Sequence, residues 1–306
     1  MTTERRDEPA GGLAPASAGG LLRLRLGVAY DGSAFHGWAR QPGLRTVQGE
    51  LEGALRAVLH VPVAVPVRVA VAGRTDTGVH ALGQVCHADV PAAAWDRHGG
   101  QALRRLGGLL PAEVRVTAVA PAAPGFDARW SARWRRYEYL VADEAAVQDP
   151  RTRGHVLWIP RGLDVAAMDA AAQPFLGEHD FAAFCRARPD ASSVRTVLTI
   201  GWQRGGGGEP GEGGPAGKGS ATGVARFGIR ADAFCHAMVR SLVGAFLAVG
   251  EGRWPIERPY ELLVAGHRDP AIPTAPAHGL TLVEVGYPPD GELAVQAARA
   301  KRWRGR

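Results

Sequence analysis

The residues best suited to chemistry sit in one short string, Gly73-Arg74-Thr75-Asp76-Thr77-Gly78-Val79-His80-Ala81-Leu82-Gly83-Gln84. Its glycines, at 73, 78 and 83, allow a backbone to turn sharply or to approach a ligand closely. Arg74 and Asp76 flank Thr75, so in extended backbone both side chains point the same way. An arginine beside a carboxylate keeps it ionised and fixes its direction. Such a carboxylate can act as a nucleophile or a proton acceptor. Taken alone, an Arg-x-Asp between glycines is most simply a turn held by an ion pair.

A second segment carries a different signal. Arg129, Arg133, Arg135 and Arg136 are interleaved with Trp130, Trp134 and Tyr137. If this stretch is extended, Arg133, Arg135 and Tyr137 share a face. Cations and aromatic rings on one face suit a phosphate backbone and unstacked bases, although a solvated basic strand has the same composition. The overall charge agrees: 36 Lys and Arg against 30 Asp and Glu give +6, and Lys218 and Lys301 are the only lysines. Arginine's planar fork suits phosphate, and its flat face stacks on bases.

Other chemistries find little support. A P-loop fails because Lys218 is followed by Gly219 and its first glycine position is Glu212. Gly211, Gly213 and Ala216 lack the helix that a dinucleotide loop requires. His80, His87, His179 and His236 lack metal-ligand spacing and read as structural. Cys86, Cys185 and Cys235 are far apart and odd in number, which predicts neither a disulfide framework nor a zinc knuckle. No apolar run is long enough to span a bilayer, and no secretory h-region follows Arg5 and Arg6, so the expected location is the cytoplasm.

Local patterns predict the elements that position these residues. Leu22, Leu24, Leu26, Val28 and Tyr30 alternate with Arg23, Arg25 and smaller residues, the mark of a half-buried strand. Thr46 can cap a helix beginning at Val47, with Leu51, Leu55 and Leu59 on one stripe. Strands are expected over 63–72, 84–90 and 114–119, with a short helix over 103–109 between the last two. The order β-α-β-β-α-β resembles a split, ferredoxin-like sandwich. The second half repeats that order: strands over 135–141, 194–202, 223–229 and 280–285, and helices over 166–176 and 234–249. The expected fold is α+β, two ferredoxin-like α/β domains with antiparallel sheets, 21–125 and 126–290, flanking a central cleft. Residues 1–20 read as a disordered tail, 205–223 as a flexible Gly-rich hairpin extension, and 291–306 as a solvated basic tail.

The full twelve-residue string resembles the signature of the tRNA pseudouridine synthase A family. Further blocks match in order: Tyr30-Asp31-Gly32-Ser33 with Phe35-His36-Gly37-Trp38; Thr46-Val47-Gln48; Phe126-Asp127-Ala128-Arg129-Trp130-Ser131-Ala132; Arg135-Arg136-Tyr137-Glu138-Tyr139; Leu176-Gly177-Glu178-His179-Asp180-Phe181; residues 233–240; and Gly279-Leu280. The match runs from about Leu22 to Pro288. Thr77, Ala39, Asp232 and the 205–223 extension depart from the family's usual pattern, and none of them is the Asp.

That resemblance implies an isomerase of uridine in tRNA, without metal or cofactor, with Asp76 as nucleophile. It implies that Arg74 pairs with Asp76 and holds the flipped base, and that Tyr137 stacks on the uracil. Substrate contacts are implied for the block Phe126, Asp127, Ala128, Arg129 and Trp130, for the loop residues Arg186, Arg188, Ser192 and Ser193, and for Leu280. Arg240, on an otherwise apolar helix, is expected to face the cleft with Asp76 as its partner. The family further implies a homodimer acting on uridines 38 to 40 of the anticodon stem-loop. A catalytically silent RNA-binding protein or chaperone, or the same chemistry at another RNA site, stays open at this point.

Overall fold

A computed structural model describes residues 20–186, 192–205 and 223–304. The expected tail at 1–19, the Gly-rich extension at 206–222, Arg188 and Arg306 lie outside the described residues. Elements follow in the order β1 (Leu21–Tyr30), α1 (Val47–Val58), β2 (Val69–Val71), β3 (His80–Pro91), α2 (Ala92–His98), α3 (Ala102–Leu109), β4 (Val114–Pro121), β5 (Trp134–Ala142), β6 (Leu157–Trp158), α4 (Val165–Ala172), β7 (Gly177–Asp180), β8 (Val194–Arg204), β9 (Ala225–Ala231), α5 (Met238–Gly250), α6 (Arg258–Ala265), β10 (Leu280–Gly286) and α7 (Leu293–Arg304).

The strands form one continuous, mostly antiparallel sheet in the order β4-β1-β3-β10-β5-β9-β8-β7, with β2 on β3 and β6 on β5. Its two halves meet where β10 runs parallel to the start of β3, pairing Thr281 with His80 and Leu282 with Ala81. On its other side β10 pairs antiparallel with β5, placing Leu282 opposite Tyr137. The string carrying Asp76 leads into β3, so this joint brings it beside the strand that carries Tyr137.

The local reasons for the elements are simple. In β1 the alternating residues Leu24, Leu26, Val28 and Tyr30 are buried. The Thr46 hydroxyl accepts the N–H of Gly49 and caps α1, whose Leu51 and Leu55, with Leu59 just beyond, are fully buried. Glu52, a buried acid on α1, accepts the Val69 N–H at 3.0 Å, so this helix carries β2. The strand expected over 63–72 shrinks to Val69–Val71, because only that piece pairs with β3. Elements that periodicity did not announce are the short β6 and β7, α2, α6, and α7 in place of a solvated tail. Helix α7 is anchored by Leu293 and Ala297, both buried.

Two expectations are corrected. The helix expected from Phe234 begins at Met238, because Ala237 takes a left-handed conformation (φ 65°) that interrupts it. Cys185 and Cys235, 50 residues apart in sequence, form a disulfide with their Cα atoms 5.7 Å apart; Cys86 alone is a free, buried thiol. Sequence spacing carries no sign of a pair that tertiary packing assembles. Among the described residues no helix is long and apolar enough to cross a membrane.

Candidate active site

The loop between β2 and β3 is gripped from below. The Trp38 N–H donates to Thr75 O at 3.1 Å. The Thr75 hydroxyl bonds the buried Tyr30 phenol at 2.7 Å, and Gln84 Nε2 donates to Gly73 O at 2.8 Å. Within the loop, Val79 N–H closes a turn onto Asp76 O at 3.2 Å. Gly37 (φ 86°) lies against this backbone: a Cβ there would stand 3.0 Å from Thr75 O and 3.2 Å from Thr77 N. Segment 35–38 is in turn tied to α1 through Val47 N–H to Gly37 O and Gln48 N–H to Trp38 O. The Phe35-His36-Gly37-Trp38 block is therefore a buttress for the Asp76 loop.

Asp76 opens onto a cleft of about 730 Å³ whose walls include Tyr137, Phe234, His236, Arg240 and Leu280. Its carboxylate is one-third exposed, and His236 Nε2 stands 3.6 Å from its Oδ1. Tyr137 is buried and meets Phe234 edge-on, ring centroids 5.0 Å apart. Burial first, then the neighbouring Tyr30 and Asp76, push its phenol well above the ordinary tyrosine value, against a smaller opposing pull from Arg135. The phenol is thus neutral at physiological pH and can donate a hydrogen bond.

Arg74 and Arg240 line the same cleft, but neither forms the expected pair with Asp76. Arg74 is exposed, and no hydrogen bond or ion pair joins it to Asp76 among the described residues. Arg240 spends its Nε–H on Ala275 O at 2.7 Å. The imidazole of His236 occupies the place that sequence reasoning assigned to a guanidinium.

A family model described as tRNA pseudouridine synthase matches residues 171–288. The chain is 50% identical over 285 residues to tRNA pseudouridine synthase A of Streptomyces griseus subsp. griseus, an alignment covering 93% of this chain and 95% of that protein. The chain belongs to the tRNA pseudouridine synthase A family. It is also 53% identical over 278 residues to the protein of the same name from Frankia casuarinae, covering 91% of this chain and 94% of that one. To the Mycobacterium leprae protein it is 45% identical over 287 residues, covering 90% and 93%.

In this member of the synthase A family, the other expected contact residues divide into two groups. Asp127, Arg129, Trp130, Arg135 and Leu280 line the cleft. The Arg129 guanidinium stacks over the Trp130 ring at 4.5 Å, and Asp127 Oδ1 accepts the N–H groups of both residues at 2.9 Å. Arg135 is buried and donates to the carbonyls of Asp232, Ala72 and Arg129 at 2.8, 2.7 and 2.9 Å. It ties three segments together at the cleft wall.

The second group is not part of the cleft lining. Arg133 pairs with Glu292. Phe126 and Ala128 are buried in a small cluster with Leu293. Arg186 is exposed, and its N–H donates to His236 O at 3.0 Å. The Ser192 hydroxyl accepts the Val194 N–H at 3.2 Å, and Ser193 O accepts the Phe181 N–H at 3.1 Å.

Two histidines looked alike in the sequence and differ in the fold. His80, with Asp31 and His155, forms a group whose potential ligand atoms all lie within 4.8 Å of one another. His80 Nδ1 accepts the Gly32 N–H at 3.0 Å, which leaves Nε2 protonated to donate to His278 O at 3.0 Å. Both ring nitrogens have backbone partners, and Nδ1 also stands 3.2 Å from Asp31 Oδ1, so the residue acts as a strut. His236, read as structural, sits in the cleft wall beside Asp76. The only local sign was a histidine two residues before the apolar run of α5, in a segment too regular to reveal its left-handed break.

Proposed function

We propose that this protein isomerises uridine to pseudouridine in tRNA, and that Asp76 is the group that attacks the target nucleotide. The observation that carries the reading is a carboxylate on a doubly buttressed loop, opening into a cleft beside a buried neutral tyrosine. The reaction breaks the bond between uracil and sugar, turns the uracil, and rejoins it through carbon. A single positioned carboxylate serves both the cleavage and the rejoining. Hydrolytic glycosidases instead use two carboxylates and admit water. Here the detached base must stay in place, and the apolar surfaces of Tyr137, Phe234 and Leu280 are suited to holding it and excluding solvent.

The target base must leave its stack to reach Asp76. Tyr137 is then the ring against which the extruded uracil rests. The Arg129–Trp130 stack at the rim offers a cation and an aromatic face to the RNA backbone and unstacked bases. Arg74 and Arg240 supply further positive charge for the displaced strand. The loop carrying Arg186, Arg188, Ser192 and Ser193 would meet the body of the tRNA.

The finer reading is a cytoplasmic homodimer that holds tRNA across both copies and acts at uridines 38 to 40. Its architectural counterpart is a pair of ferredoxin-like units, 21–125 and 126–290. That division is supported by strand order: with the short β6 and β7 set aside, β4-β1-β3-β2 and β10-β5-β9-β8 both place fourth, first, third and second strands side by side.

The test is incubation of the purified protein with unmodified tRNA transcripts, without added cofactor, followed by mapping of pseudouridine. Product in the anticodon arm is expected, and Asp76→Asn should remove it while leaving tRNA affinity within about twofold. Tight binding without product by the wild-type protein would leave an RNA-binding protein or chaperone. Product elsewhere would move the site of action.

A further inference from the structure

We infer that the Cys185–Cys235 disulfide is a site of thiol–disulfide exchange with small thiols: a low-molecular-weight thiol entering the cleft attacks Cys235 Sγ, opens the bond and releases the cleft wall beside Asp76. This rests on the reading of that cleft as the place where tRNA is modified, and adds a regulation to it.

The bond lies in the wall of the site. Cys235 lines the cleft and is only half-buried, whereas Cys185 is buried. Of the two sulfurs, Cys235 is therefore the one that a small thiol can reach. The residue before it, Phe234, packs edge-on against Tyr137, and the residue after it, His236, stands 3.6 Å from the Asp76 carboxylate. A change at Cys235 is thus passed to both sides of the cleft within one residue. The remaining cysteine, Cys86, is a free thiol with no exposed surface, and burial pushes its ionisation far up. A thiol so placed is inert and serves as an internal reference.

The cross-link also anchors this wall. It joins the segment 233–237 to a turn whose Phe184 is packed in the core. When the bond opens, the two segments keep the Arg186 N–H to His236 O bond of 3.0 Å but lose their covalent tie. Ala237, two residues on, has φ 65°, a conformation that a non-glycine residue holds only where its surroundings over-determine it. The run from Cys235 to the start of α5 therefore depends on its anchors. Where small thiols are kept reduced, disulfides are chiefly transient or redox-sensing, and this one has a reachable sulfur.

The exchange balances without a further reactant. One small thiolate forms a mixed disulfide with Cys235 as the Cys185 sulfur leaves. A second attacks the sulfur of that adduct, giving the small-molecule disulfide and freeing Cys235. Two electrons pass from the small thiols to the protein disulfide, and the protons they give up end on the two cysteines. A small-molecule disulfide, acting as oxidant in the reverse sequence, reseals the bond. Because the attacked sulfur faces the cleft, tRNA seated there covers it and shields the bond.

The test equilibrates the full-length protein with reduced or oxidised glutathione, with and without tRNA. Free thiols are then located by iodoacetamide labelling and peptide mass. Expected are labelling of Cys235 only after reduction, none of Cys86 in the folded protein, and opening slowed at least about tenfold by saturating tRNA. Reduction should lower the single-turnover rate about tenfold and the melting temperature by several degrees, since the bond closes a long loop. Cys185→Ala should show the slow rate under both conditions and label readily at Cys235. Labelling of Cys235 in protein held in oxidised glutathione, opening at the same rate with and without tRNA, or a rate indifferent to reduction would each overturn the inference. Thiol labelling and shielding do not depend on Asp76. Continued turnover by Asp76→Asn would therefore remove the reading of that residue and leave the exchange at Cys235 standing.

Discussion

Arginine is the residue this chain uses for almost every positive charge, yet the basic group nearest the Asp76 carboxylate is the His236 imidazole, while Arg74 and Arg240 line the same cleft without pairing with it. Arg74 is exposed at the cleft and follows Gly73, whose carbonyl is held by Gln84, whereas His236 precedes the left-handed Ala237 at the start of α5. Tyr137 is governed by burial. Its phenol is raised by loss of water and by the nearby Tyr30 and Asp76, so it is neutral at physiological pH. In Tyr137→Phe the ring that packs on Phe234 survives and the oxygen is lost. We expect tRNA affinity within about twofold of wild type and product formation slowed by about 10²-fold, the usual weight of a proton-handling group. A filter-binding assay and a single-turnover rate on the same preparation check both halves.

At the scale of elements, one staple closes the far end of the second half of the sheet. Asp143, just past β5, is fully buried and accepts two bonds from Arg204 at the end of β8, both at 2.7 Å. It also accepts the N–H groups of Leu163 at 2.8 Å and Ala145 at 3.2 Å. Arg204 donates further to Gly223 O and Leu163 O, clasping the two ends between which the glycine-rich stretch is inserted. Burial alone would raise the Asp143 carboxyl, but the Arg204 and backbone bonds outweigh it and hold the group below its ordinary value. A carboxyl depressed in the folded state stabilises above its unfolded value and loses that contribution as pH falls through the folded one. Asp143→Ala should therefore destabilise by about 3 kcal/mol at neutral pH, because Arg204 loses its counter-charge in a largely buried setting. The melting-temperature gap between variant and wild type should narrow below roughly pH 4. A constant gap across the acid range would mean that the staple holds by shape and not by charge.

For the whole molecule, the site depends on a joint two residues wide. The parallel contact of β10 with the start of β3 sets the Asp76 loop beside Tyr137, and Gly83 makes it possible. A Cβ at Gly83 would stand 2.1 Å from Val283 O and 3.0 Å from its carbonyl carbon, both backbone atoms of β10 that cannot turn aside. Gly83→Ala should force the strands apart, at a cost of about 2 kcal/mol in stability. On the proposed reading of Asp76 and Tyr137, it should also cost far more in turnover than that figure suggests, since it shifts one against the other by the order of an ångström. Denaturant unfolding and single-turnover rates measured together would show whether the two losses part company.

What could be read from the chain alone was whatever depends on neighbours in sequence. The cap at Thr46, the buried stripe of α1, the alternation in β1 and the glycine-spaced Asp76 string are all local patterns, and the fold reproduces each element at its expected place. The tertiary structure decided what depends on residues far apart. It broke the apolar run of α5 at Ala237, joined Cys185 to Cys235, buried Arg135 among three carbonyls and set His236 against Asp76. None of these has a sequence period, because each results from two distant segments competing for the same few ångströms of space. Composition and spacing pick out a candidate carboxylate; only packing determines which side chains surround it.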